Sequence, residues 1–318
     1  MRQHCLCGVA LLLGACTQTD SPPSLAHARA AATATSWSRV ISEASIHPGG
    51  PELVADGPSA VAVTPKGAVL VLDRRAGRLL RVDATGKPAV VAPAPWAAGD
   101  LAVGPDGALA LYSPLRARVW VRGPGGEPLG EVVVPRVLRM VRGVALEASR
   151  QVWVQDAHQQ RFLLGSPSLP QSLPAVLHSR REGGFLLPGG AGVLARVDDG
   201  VATVQLVDEG TDRSRVVGSF RLNERDVLAA RVVGTAGDLA CLRLELGKPG
   251  PTVDVKRRAL CLDTRSGVRV LDVALPPPWR YVPARELAVG GSPPRLAAIH
   301  PGADGLRVQV FSLEGGEP

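Results

Sequence analysis

The sequence predicts an all-β protein, a six-bladed β-propeller, and three observations carry that expectation. Ser59 to Pro88 recurs without a gap at Gly99 to Pro128, a shift of forty positions. The apolar runs inside the repeat are short, β-branched and cut by Pro-Lys-Gly or Pro-Asp-Gly turns, which reads as strands joined by hairpins. No window holds an apolar stripe at i, i+3, i+4 and i+7, so helices are not expected. A fixed period near forty residues made of short strands is the signature of propeller blades.

The chain opens with a segment that does not belong to that domain. Met1-Arg2 is basic, and Leu6 to Leu13 is an apolar run too short for a finished membrane span. It ends in Leu13-Gly14-Ala15-Cys16, which resembles the lipobox of bacterial lipoprotein signal peptides at every position of that motif. The resemblance implies cleavage after residue 15, a diacylglycerol on the Cys16 thiol and an acylated new amine. Such chains anchor a protein at roughly 0.8 kcal/mol per buried methylene. Thr17, rather than Asp, follows the Cys, which by the sorting habit of enteric bacteria implies the outer membrane rather than the inner one. Thr17 to Ser36 is rich in Ser, Pro, Ala and Thr without apolar periodicity and is expected to be a flexible tether. Residues 1–15 are thus a signal peptide, 16–36 the lipidated Cys and tether, and 37–318 the folded domain.

That domain must build its core from Val, Leu and Ala, because aromatic residues make up only 3% of the chain. The 36 Gly and 28 Pro fall between apolar runs and so punctuate strands. The formal net charge of +7 suits anionic partners.

Within the first two copies Ala62, Val63, Pro65, Gly67, Ala68, Arg78, Gly86 and Pro88 meet Ala102, Val103, Pro105, Gly107, Ala108, Arg118, Gly126 and Pro128. A third copy runs through Val144–Leu146, Gln151–Val154 and Arg161–Leu164. A fourth uses Phe185–Leu187, Gly192–Ala195 and Ala202–Val207. A fifth has Arg231–Val233, Leu239–Leu246, Ala259–Leu262 and Val268–Leu275, and a sixth Glu286–Val289, Arg295–Ile299 and Leu306–Phe311. The early copies resemble the NHL repeat, in which a Pro-x-Gly turn follows the inner strand and the second strand ends near Asp. Pro65-Lys66-Gly67 with Asp73 fill that pattern, Pro105-Asp106-Gly107 precede Ser113 in place of the Asp, and Asp156 restores it. The later copies match in strand pattern alone.

The sixth copy ends one outer strand short. An N-terminal strand completing that blade would close the ring and remove the open edges. Pro51 to Ala55, which is like the outer strand Pro88 to Ala92, is expected to supply it; residues 37–46 are a further strand without an assigned place.

Three kinds of chemistry are open to these residues. Six-bladed propellers resembling this one include lactonases that hold a divalent ion at the channel mouth with Glu, Asn and Asp, since hard cations need several oxygen ligands. Asp56, Asp100 and Asp156 are the nearest equivalents, Asn223 is the only Asn in the chain, and no metal site or cofactor is expected. No His sits in a Gly-x-Ser-x-Gly or His-Glu-x-x-His setting. A binding face is the third possibility. The loops from outer to next inner strand, and from second to third strand, open on one side. They carry Arg74, Arg75, Trp96, Asp156, His158, Arg180, Arg181, Trp279, Arg280 and Tyr281, and Arg with aromatics is what interface centres favour.

The expectation is therefore an envelope lipoprotein acting as a binding or scaffold module for an envelope protein or anionic polymer. It is not expected to be an enzyme or to meet nucleic acid. The alternative is a metal-dependent, gluconolactonase-like hydrolase. One contact is also predicted. Cys241 and Cys261 fall on the second and third strands of blade five, and their midpoint lies in the Gly247-to-Pro251 turn. A symmetric hairpin sets them opposite each other, at a separation that a disulfide bridges in an oxidising compartment.

Overall fold

The computed structural model describes residues 35–314, apart from 51–53, 85–87, 139, 189, 210–213 and 248–253. Cys16, the leader and tether up to residue 34, and Pro51 to Leu53 of the expected closing strand lie outside the described residues. So does most of the blade-five hairpin turn.

Blade one begins with Ala60–Val63, Val69–Asp73 and Arg78–Val82. Blade two begins with Asp100–Val103, Leu109–Ser113 and Arg118–Arg122, each strand forty residues after its counterpart. Ala89–Pro93 and Pro128–Val133 are their outer strands. The repeat survives as geometry because its turns demand it. Gly67 and Gly107 sit at φ of +77° and +83°, where a side chain would strain the backbone. The NHL-like Asp position is a turn cap. Asp73 is fully buried and accepts Nε of Arg78 at 3.0 Å and the Ser45 N–H at 3.2 Å. Ser113 substitutes for it by accepting the Arg116 N–H at 3.1 Å.

Blade three is built from Gly143–Leu146, Val152–Gln155 and Gln160–Ser166. Its outer edge is split between Leu169–Pro170 and Arg181–Glu182, with the short helix Leu173–His178 between them. Blade four has Phe185–Leu186, Gly192–Asp198, Val201–Glu209 and Ser214–Arg221. Blade five has Val227–Ala236, Leu239–Leu246, Lys256–Asp263 and Arg269–Leu275. Cys241 pairs with Cys261 across its middle hairpin, both are fully buried, and they form a disulfide with Cα atoms 4.0 Å apart.

Blade six contributes Leu287–Gly290, Arg295–Gly302 and Gly305–Ser312. An N-terminal strand completes it, as the incomplete sixth copy requires, but the strand is Thr35–Ile41 and not Pro51 to Ala55. Burial explains the correction. Ile41 is 1% exposed and joins Trp37 against blades six and one, whereas Val54 is 90% exposed and buries nothing.

Apolar clusters fill the seams between blades one and two, two and three, four and five, five and six, and six and one. Among the described residues no such cluster joins blades three and four. The inner strand of blade four is only two residues long, and polar groups span this seam instead. Gln159 Nε2 donates to the Ala195 carbonyl at 2.9 Å, and Arg196 lies 3.9 Å from Glu182.

Candidate functional site

The channel mouth lies where the inner strands start, and its residues come from blades far apart in sequence. Asp100 opens the inner strand of blade two and is buried. It accepts Nε and Nη2 of Arg285 at 2.8 and 2.7 Å and the Val144 N–H at 2.8 Å. Arg285 also donates to the Val144 carbonyl at 2.6 Å. Its own backbone is clamped to blade one, donating to Ser59 O at 3.1 Å and accepting the Val61 N–H at 3.0 Å. One residue therefore ties blades six, one, two and three together, blade one through its backbone and blades two and three through its side chain.

Glu286, next in the chain and 4% exposed, forms a second anchor. It accepts Arg243 Nη1 at 2.9 Å and Arg257 Nη1 at 2.8 Å. Arg243 also reaches Glu245 at 2.8 Å. The mouth thus gathers Arg142, Arg231, Arg243, Arg257 and Arg285 against Asp100, Glu245 and Glu286, and cations are in excess. Among the described residues Arg142 and Arg231 form no ion pair. Burial pushes the Arg231 guanidinium below its ordinary pKa. Repulsion from Arg285 adds to this, Asp100 opposes it, and Arg243 and Arg142 push it further down. Gln155 is 6% exposed and its side-chain Nε2 has no hydrogen-bond partner. The amide lies over Gly184, where an added Cβ would fall 1.7 Å from Nε2. Arg142, Gln155, Arg231, Arg243 and Arg285 line a cavity of about 40 Å³. This arrangement holds unneutralised donors around a small space, which is how proteins receive an oxyanion.

The residues expected to form the loop face fall into separate groups. Arg74 pairs with Asp56, and Tyr281 beside them donates its hydroxyl to Pro58 O at 3.3 Å. Burial, then Asp56 and Asp73, push the Tyr281 phenol above its ordinary pKa. The Arg280 guanidinium lies 5.7 Å from the Trp279 ring centre, and Arg116 lies 5.3 Å from that of exposed Trp96. Arg75, His158 and Arg180 are exposed, and Arg181 sits on the split outer edge of blade three. Asp156 caps its own turn, accepting the N–H groups of His158 and Gln160 at 2.8 and 2.9 Å.

The three aspartates considered as metal ligands do not converge. Asp56 takes Arg74, Asp100 takes Arg285 and Asp156 takes its own backbone. Among the described residues no three His, Cys, Asp or Glu side chains gather as a metal centre.

Sequence reasoning missed the arginine mouth itself. Its signal was present, since Arg142, Arg231 and Arg285 all fall at or just before inner strands of their copies. Gln155, at the end of a second strand, carried no signal.

No protein-family model matches the chain, and no curated protein matches it. Solved structures do share its fold. A virginiamycin B lyase from Staphylococcus aureus is 11% identical with a TM-score of 0.46, the match covering 80% of this chain and 94% of that one. BamB from Moraxella catarrhalis is 12% identical with a TM-score of 0.40, over 91% of this chain and 100% of that one. A streptogramin B lyase is 10% identical with a TM-score of 0.40, over 83% and 85%. Two of these three neighbours are lyases, and this overturns the expectation that the chain is not an enzyme. At such identities and TM-scores the likeness goes no further than the propeller class, and the count of six blades rests on the six sheets of this chain.

Proposed function

We propose that the protein is a binding module of the bacterial envelope, held at the outer membrane through Cys16, that recognises an anionic group of an envelope polymer or protein at its channel mouth. One observation carries this reading. Arg142 and Arg231 line the same small cavity as the unpartnered Gln155 amide, and neither guanidinium has a carboxylate of its own. Arg231 is half-buried and Arg142 exposed; crowding such cations together is costly, and an oxyanion placed among them reverses the sign of that interaction. The exposed Arg75 and Arg180 add positive charge that steers a polyanion toward the domain. The Leu-Gly-Ala-Cys motif at 13–16 supports the anchor.

Calorimetric titration with inorganic phosphate tests the reading. The soluble domain should bind, and Arg231→Gln should weaken binding by about 10-fold or more, the value of one charge-assisted hydrogen bond. Absence of binding to the wild-type domain at low salt would contradict it.

A further inference from the structure

Behind the arginine mouth the channel widens into a second cavity of about 530 Å³. Its wall is mainly apolar and includes Val63, Val103, Leu146, Phe185, Val233 and Val289, one from each of the six blades. The chamber extends toward the seam between blades three and four, where Trp153 and Arg161 also line it. This is the seam that, among the described residues, no apolar cluster fills. The Trp153 side chain is 9% exposed and its indole N–H has no partner. Phe185, Val233 and Arg285 belong to the walls of both cavities. The chamber and the arginine mouth are therefore neighbouring compartments of one channel, one apolar and one cationic.

A volume of 530 Å³ is within the range of small-molecule pockets, about 300–1,000 Å³. Water in an apolar chamber of this size is displaced favourably by an apolar body. We propose that the channel binds an amphiphilic anion, a single-chain alkyl phosphate or carboxylate. The head group is held at Arg142, Arg231 and Gln155, and the chain occupies the chamber. The inference rests on the anion reading above and adds the apolar half of the ligand to it.

Octyl phosphate, inorganic phosphate and octyl glucoside are the probes, each titrated calorimetrically into the soluble domain below the micelle concentration. Octyl phosphate should bind about 100-fold or more tighter than inorganic phosphate, because each buried methylene strengthens binding. Octyl glucoside, with the chain but no charge, should bind far more weakly. Two chamber-filling variants, Ala145→Trp and Val103→Trp, both at partly exposed wall positions, should lose the octyl advantage and keep phosphate binding. Having two variants, each checked by thermal unfolding, guards against one failing to fold. Equal affinity of the wild type for octyl phosphate and phosphate would overturn the amphiphile proposal and leave the anion reading standing. Octyl glucoside binding as tightly as octyl phosphate would also overturn it. Binding of neither phosphate would overturn both.

Discussion

Arg285 is 16% exposed at its side chain and bonds Asp100 across 185 residues of chain. Removing one partner of such a pair leaves a buried charge without compensation, which costs about 3–5 kcal/mol. Asp100→Asn should therefore lower the urea-unfolding free energy by about 3 kcal/mol, and Asp106→Asn, at an exposed pair, by less than about 1. His300 gives a pH dependence of definite sign. It is 7% exposed, and burial pushes its pKa from 6.5 to about 4, with Glu286 opposing and Arg257 and Arg307 assisting. Between those two values the unfolded chain binds a proton that the native imidazole does not. Stability should fall as pH is lowered from about 6.5 to 4, by on the order of 3 kcal/mol for this group. Below pH 4 the native side chain is protonated too and the loss stops growing. His300→Gln should flatten that part of the stability profile, read from urea midpoints at each pH; an unchanged profile would remove His300 as its source.

At the scale of elements, Thr35–Ile41 is, among the described residues, the only partner of the outer edge of Gly305–Ser312. Deleting residues 35–41 should expose that edge and Ile41's niche, lowering the thermal midpoint of the whole domain. The seam between blades three and four should open first, since openings follow low apolar contact. Amide exchange should be faster in Val152–Gln155 and Phe185–Leu186 than in the paired strands of blade five. There the Cys241–Cys261 bridge closes a loop of twenty residues and contributes about 3 kcal/mol in the chain-entropy model. Much of this architecture was legible in sequence because blades repeat. Positions such as Val61 and Leu101 carry the same burial forty residues apart, and a symmetric hairpin leaves the two cysteines one register. The closing strand was less legible. Pro51 to Ala55 looked like an outer strand in composition, whereas Thr35–Ile41 is fixed by packing of Trp37 and Ile41 on blade six, at the far end of the sequence. The arginine mouth was less legible for a related reason: the ring gathers residues from blades far apart in sequence, and no local motif records that gathering.

Across the whole molecule, the proposed anchor at Cys16 would hold a basic domain whose channel has two unlike compartments at the membrane. Cys16→Ser should leave the protein uncleaved or release it from the membrane fraction, and radiolabelled palmitate should no longer be incorporated. Incorporation at the wild-type level would remove the anchor from the account. The central claim is that the channel mouth receives an anion, and a crystal structure of the soluble domain grown with phosphate at low ionic strength tests it most directly. The account predicts phosphate density bonded to Arg142, Arg231 and the Gln155 amide, with Arg285 still on Asp100. Phosphate held only at exposed loop arginines such as Arg75 and Arg180, with nothing between Arg142 and Arg231, would contradict it.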